Sequence, residues 1–174
     1  EPSEEERRPQ IVDERAPRIE LSIDKFVDAS APNHIVMTFR AKNTGERPMF
    51  VVLRPRMLGL NVDGPDGFKR CEAQPSTGAV PRDAFRTLKP GDTVTMSLLL
   101  GEICPLDVFS RPGLYKVQAT LDANESGAEI GLSAYTGESI SEHGWLRLAT
   151  GSEPFYATAP RAKKTATLVD EDKD

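Results

Sequence analysis

The sequence predicts an all-β fold in which two antiparallel sheets pack as a sandwich. Three observations carry this. Short runs of alternating apolar and polar residues recur at roughly ten-residue spacing, the rhythm of a strand with one wet face. Pro- and Gly-bearing turns separate the runs. No stretch carries a helical apolar period long enough to serve as the crossover that parallel strands need. A sandwich rather than a barrel follows from the clean alternation and from the polar segments at both ends.

The organising stretch is 85–121. Val94, Met96, Leu98 and Leu100 alternate with small or polar neighbours, and Tyr115, Val117, Ala119 and Leu121 alternate with Lys116, Gln118 and Thr120. Leu88-Lys89-Pro90-Gly91-Asp92 is a turn, with proline fixing φ and glycine free to take φ > 0. A single helical turn is expected at Pro105-Leu106-Asp107-Val108-Phe109.

The rest of the chain follows the same logic. Residues 1–17 hold dense mixed charge and three prolines with few apolar residues. They cannot bury enough surface to offset ordering entropy, so a disordered tether is expected. Ile19, Leu21 and Ile23 begin the first strand. After a turn at Ser30-Ala31-Pro32-Asn33, the side chains of Ile35, Met37, Phe39 and Ala41 share one face. Asn43-Thr44-Gly45-Glu46 closes that strand, with Asn and Gly expected to supply a left-handed turn. Met49 to Arg54 is a continuous apolar run between Pro48 and Pro55, read as a strand covered on both faces or placed centrally. Leu58, Leu60 and Val62 form a further strand, reversed at Asp63-Gly64-Pro65-Asp66-Gly67. Residues 70–82 read as a long surface loop. Residues 130–140 are weakly patterned, anchored by Leu132 and Tyr135. Leu146 and Leu148 alternate with Trp145 and Arg147 in a last strong strand, with Phe155-Tyr156-Ala157 extending the edge. Residues 160–174 form a second disordered, charged tail. The sandwich therefore spans 18–159.

Composition narrows the function. A net charge of −5 with no basic run interleaved with aromatics gives nucleic acid no footprint. No apolar stretch approaches the roughly 20 residues of a membrane helix. A removed signal peptide or a lipid anchor upstream of Glu1 is compatible with this start. Cys71 and Cys104 admit one disulfide or two buried thiols. A bridge would add roughly 3–4 kcal/mol in the chain-entropy model and imply oxidising surroundings.

Catalytic and metal signatures are weak. His34 and His143 lack close-spaced partners, and Asn61, Asp63 and Asp66 fit turn chemistry better than a calcium loop. No cofactor is expected. Ser141-Glu142-His143 holds nucleophile, acid and base types, but residues adjacent along a chain rarely face one another. No P-loop or dinucleotide-binding glycine motif occurs. Asn124-Glu125-Ser126 is a glycosylation acceptor only in a eukaryotic secretory setting. Trp145, beside His143 and Gly144, is either an exposed contact for a sugar or protein partner, or a core residue at a strand end.

Arg111-Pro112-Gly113-Leu114-Tyr115-Lys116-Val117 resembles the tyrosine corner of immunoglobulin-like domains, whose Tyr hydroxyl returns to upstream backbone. Residues 88–93 resemble the strand entry of many bacterial Ig-like modules, and Phe39-Arg40-Ala41-Lys42-Asn43-Thr44-Gly45 is similar to their second strand. Together they resemble the Ig-like sandwiches of bacterial envelope lipoproteins. They are also similar to the bacterial intracellular proteinase inhibitor family and to Ig-like propeptide domains of secreted metallopeptidases. The resemblance implies an Ig-like antiparallel β-sandwich and no enzyme. It implies a module of the bacterial envelope or exterior (periplasmic, outer-membrane-associated or secreted, with a cytoplasmic site left open). Such a module binds a protein partner through loops at one end, with His143 and Trp145 as candidate contacts. An inhibitor or propeptide role would use the loop from Cys71 to Arg86, and a carbohydrate module would need a row of exposed aromatics. The 6 % aromatic content makes that row hard to assemble without depleting the core. Val117 stands where antibody domains carry their second core cysteine, so a Cys71–Cys104 bridge would join loops instead.

Overall fold

The computed structural model describes residues 16–75 and 78–150. In chain order the strands are β1 (Ile19–Ile23), β2 (Phe26–Ala29), β3 (Val36–Asn43), β4 (Met49–Val51), β5 (Leu58–Gly64), β6 (Gly67–Cys71), β7 (Arg86–Leu88), β8 (Thr93–Leu99), β9 (Gly113–Ala123) and β10 (Gly137–Leu148). They form a three-stranded sheet in the order β1-β3-β8, a five-stranded sheet in the order β2-β10-β9-β5-β6, and a β4-β7 ribbon. A three-stranded layer facing a larger layer with β9 and β10 at its centre is the immunoglobulin-like arrangement. Short 3-10 turns lie in several of the connections between strands, including Leu106–Phe109 where a helical turn was expected.

The two sheets join through the alternation in the sequence. Ile35, Met37, Phe39 and Ala41 from one layer meet Leu58, Leu60, Val62, Tyr115, Val117, Ala119, Leu121, Leu146 and Leu148 from the other, all buried. Each such side chain contributes on the order of 1.5–3 kcal/mol of apolar burial. The two alternating runs at 94–100 and 115–121 do not pair: β8 and β9 lie in opposite sheets, and the chain crosses between them at 100–112.

One pair departs from the antiparallel rule. After β1 the chain changes sheets, so β2 runs parallel to β10, with Phe26 opposite Trp145 and Asp28 opposite Arg147. Asp24 fixes the change of sheet. Its carboxylate accepts the Thr38 N–H and an Arg40 N–H, each at 2.9 Å. Burial pushes the Asp24 carboxyl up, but these two donors outweigh it and hold it below the usual carboxylate range.

One turn reading and one strand reading are corrected. The backbone at Asn43 and Gly45 is not left-handed. Asn43 acts through its buried side chain: Nδ2 donates to the Arg47 and Leu88 carbonyls, and Oδ1 accepts the Gly45 N–H. Position 45 needs glycine for space, because a Cβ there would sit 2.5 Å from the Ala16 carbonyl oxygen. The Met49–Arg54 run is covered on both sides but is not a central strand. Only Met49–Val51 pairs, with β7: Pro48 supplies no N–H at one end, and at the other the partner chain runs into the 3-10 turn Arg82–Ala84. Phe50 instead stacks on Phe85 at 5.4 Å.

Cys71 and Cys104 are bonded, with Cα atoms 5.3 Å apart. The bridge does not join two loops. It ties the last residue of edge strand β6 to the crossover between sheets. The expected edge at 155–157, the C-terminal tail, and all of the N-terminal tether before Ala16 lie outside the described residues.

Candidate functional site

The central strand β9 sorts its side chains by parity. Tyr115, Val117, Ala119, Leu121 and Ala123 are buried, so Leu114, Lys116, Gln118, Thr120 and Asp122 point out of the five-stranded sheet. Strand register carries that outer face across all five strands. Trp145 pairs with both Phe26 and Lys116, Lys116 with Asp63, and Asp63 with Phe68. Phe26, Trp145, Lys116, Asp63 and Phe68 therefore form one continuous cross-strand row, aromatic at both ends and oppositely charged in the middle. Phe26 is 59 % exposed, Trp145 43 % and Phe68 63 %.

A second row runs beside it. His143 is opposite Gln118, Gln118 opposite Asn61, and Asn61 opposite Arg70. Asn61 Nδ2 donates to Gln118 Oε1 at 3.4 Å, and Gln118 Nε2 donates to the Ser141 carbonyl at 3.0 Å. Asn61, Asp63, Phe68, Lys116, Gln118 and His143 line a shallow depression where the two rows meet. Leu114 and Ile140, both exposed, extend the face above and below. At its margin Arg147 Nε donates to Asp28 Oδ1 at 3.0 Å, and a second guanidinium N–H meets Oδ2. This hydrogen-bonded pairing holds the Asp28 carboxyl below its ordinary value.

A bulge makes the face continuous. Between Ile140 and His143 the register of β10 shifts, inserting one residue opposite β9. Before the shift the even-numbered residues point outward, and after it the odd-numbered ones do. Ile140 and Trp145 would otherwise lie on opposite faces. Ser141 pins the bulge: its buried Oγ accepts the Ala119 N–H at 2.9 Å and donates to the Glu142 carbonyl at 2.7 Å. The Ser141 hydroxyl thus points inward while His143 points outward, and the Ser-Glu-His run does not assemble a nucleophile–base pair.

His143 and Trp145 are brought together on this face, in mid-strand rather than in the loops at one end of the sandwich. The core-residue reading of Trp145 is set aside by its exposure. Tyr115 sits on the opposite side of its strand, buried, its hydroxyl donating to the Arg111 carbonyl at 2.5 Å. His34 lies apart on a 3-10 turn, and among the described residues no three His, Cys, Asp or Glu side chains converge as metal ligands. Asp66 is engaged by Ser110 and Arg111. Sequence reasoning missed Phe26, Phe68, Leu114 and Ile140. For Phe68 the signal was present, because the Gly64–Gly67 hairpin places position 68 opposite Asp63. An aromatic row exists despite the low aromatic content, because the core is built chiefly from aliphatic residues and methionine and spares three rings for the surface.

Among the described residues no helix is long and apolar enough to cross a membrane. Comparison with protein-family models and with curated proteins returned no match. Solved structures give loose likenesses. A CARDB domain from Pyrococcus furiosus, in complex with di-metal ions, is 12 % identical, covering 77 % of this chain and 94 % of that one at a TM-score of 0.31. The chaperone–tip adhesion subunit pre-assembly complex of Acinetobacter baumannii Csu pili is 10 % identical, covering 78 % and 57 %, at 0.31. The sporulation control protein of Bacillus subtilis is 15 % identical, covering 76 % and 49 %, at 0.34. Likeness at this level carries over no activity, ligand or partner.

Proposed function

We propose that the protein is a non-catalytic interaction module that binds a protein partner through the outer face of its five-stranded sheet. The observation that carries this is the Phe26–Trp145–Lys116–Asp63–Phe68 row, flanked by exposed Leu114 and Ile140. Aromatic and aliphatic side chains exposed together around a few charges are the composition of a protein contact surface. The contact is assigned to the sheet face rather than to the loops because the candidate contact residues His143 and Trp145 lie there. The Cys71–Cys104 disulfide supports an oxidising, extracytoplasmic compartment, such as the bacterial envelope or exterior.

The test is capture of a stoichiometric protein by the tagged chain from envelope extract, compared with a Trp145→Ala/Phe68→Ala variant. Loss of at least about ten-fold in recovery is expected, the scale of two anchor residues. Equal recovery by the variant contradicts the assignment. The aromatic row favours one other reading, a glycan stacked on Trp145 with Asn61, Gln118 and His143 bonding its hydroxyls. Leu114 and Ile140 favour protein instead, and binding on a glycan array, lost in the same variant, would reverse the choice.

A further inference from the structure

We propose that the free edge of β8 pairs with the β8 edge of a second copy of this chain, joining two three-stranded sheets into one across a two-fold axis. The three other lateral edges of the two main sheets, taken with their surroundings, show why β8 stands apart. β2 is four residues long and carries the Asp28–Arg147 ion pair. β6 carries Lys69 and Arg70 and ends in the disulfide. β1 is covered by β10, whose Ser139 hydroxyl donates to the Ile19 carbonyl at 2.7 Å. These are the devices that keep a sheet edge from recruiting another strand. β8, Thr93-Val94-Thr95-Met96-Ser97-Leu98-Leu99, has no charge, no proline and no bulge, and among the described residues its ladder partner is β3 alone.

The backbone polarity of β8 is fixed by two bonds at its ends. The Leu100 N–H donates to the Ile35 carbonyl and the Asp92 carbonyl accepts the Asn43 N–H, so even-numbered residues direct their polar groups toward β3. The N–H and C=O groups of Thr93, Thr95, Ser97 and Leu99 therefore face away from β3, toward the open edge. An antiparallel pairing centred on Met96 sets Thr95 opposite the second copy's Ser97, and Thr93 opposite its Leu99. All four are the residues with free groups, and the pairing forms about eight backbone hydrogen bonds.

The side chains agree with the same register. On the inner face, half-buried Val94 meets Leu98 and Met96 meets its own copy, so each core closes over the apolar flank of the other. On the outer face hydroxyls meet at Thr95 and Ser97. Arg40 flanks Thr95 and Lys42 flanks Thr93 on β3, while the positions they approach in the second copy flank Thr38 and Val36. No two like charges are set opposite one another, and the contact is isologous, so it closes as a dimer.

The experiment uses the 174-residue chain in sedimentation velocity across about 1 μM to 0.5 mM, the range in which a contact of this size associates. A concentration-dependent dimer is expected. Ser97→Pro removes an outward N–H without touching the β3 ladder, and it should weaken the dimer about ten-fold or more. A register test does not depend on that variant folding. Thr95→Cys and Ser97→Cys proteins, both altered at exposed positions, are mixed under mild oxidation. Directly opposed Cα atoms at roughly 5.5 Å lie within disulfide reach, whereas diagonal ones at roughly 7–8 Å do not. The mixture should cross-link at least about ten times faster than either protein alone. A monomer throughout the range, or a dimer whose cross-linking does not favour the mixture, overturns the proposal.

Discussion

Gly64 lies against the ring of Tyr115: a Cβ at position 64 would stand 2.2 Å from Tyr115 Cδ1. The turn that reverses β5 into β6 is thereby packed onto the residue that anchors the start of β9. The Tyr115 hydroxyl completes the arrangement at the Arg111 carbonyl, and its ring meets Phe109 edge-on at 5.4 Å. Gly64→Ala should destabilise the fold by about 1–3 kcal/mol, the range for overpacking a filled core. Tyr115→Phe should cost about 1–2 kcal/mol through the lost hydrogen bond. Urea denaturation of both variants measures these values.

Removing the disulfide tests the link between the β6 edge and the crossover. The bridge closes a separation of 33 residues, which corresponds to about 3.5–4 kcal/mol in the chain-entropy model. A Cys71→Ser/Cys104→Ser variant should lose stability on that scale and leave the core of β3 and β9 folded. Thermal unfolding followed by circular dichroism, with and without reductant, gives the comparison.

Acid and alkaline stability should depend on different residues. Asp24 has a folded-state pKa below its ordinary value of 3.8, so its contribution is present above that value. The contribution is lost as pH falls through the folded pKa. Asp24→Asn should therefore cost about 0.5–1 kcal/mol at pH 7, the scale of a partly exposed pair, and progressively less as pH falls through the folded-state pKa. Tyr115 runs the other way. Burial raises its pKa above 10.0, so the stability it supplies is full below pH 10 and declines as pH rises through the folded value. Tyr115→Phe should flatten that alkaline decline.

Trp145 is the only tryptophan in the chain, which makes its emission a direct report on the candidate face. Emission typical of a wet indole, with ready quenching by acrylamide, is expected. Partner binding should protect it. A blue-shifted, quencher-resistant emission from the free protein would remove Trp145 from the contact surface.

Much of the fold was legible because period-two alternation states which face is buried, as in Met37, Phe39 and Ala41 or Tyr115 and Val117. Phase changes hid the rest. At the β10 bulge the outward parity switches between Ile140 and His143, so residues 130–140 look unpatterned although β10 already starts at Gly137. β2 was invisible because four residues give too short an alternation to register. Asn43 and Gly45 looked like left-handed turn residues, and their roles come instead from a buried amide and a close backbone approach that no local pattern encodes. The candidate face needed strand order: Phe26, Trp145 and Phe68 are far apart in sequence and meet only through register.

Site-specific photo-cross-linking tests the assignment of contact to this face most directly. A benzoylphenylalanine placed at Phe68 or Phe26, on the five-stranded face, is compared with one at exposed Asp83 or Glu129 in the loops. Adducts with a single protein are expected from the two face positions and none from the loop positions. Adducts from the loop positions alone contradict the assignment of contact to the sheet face.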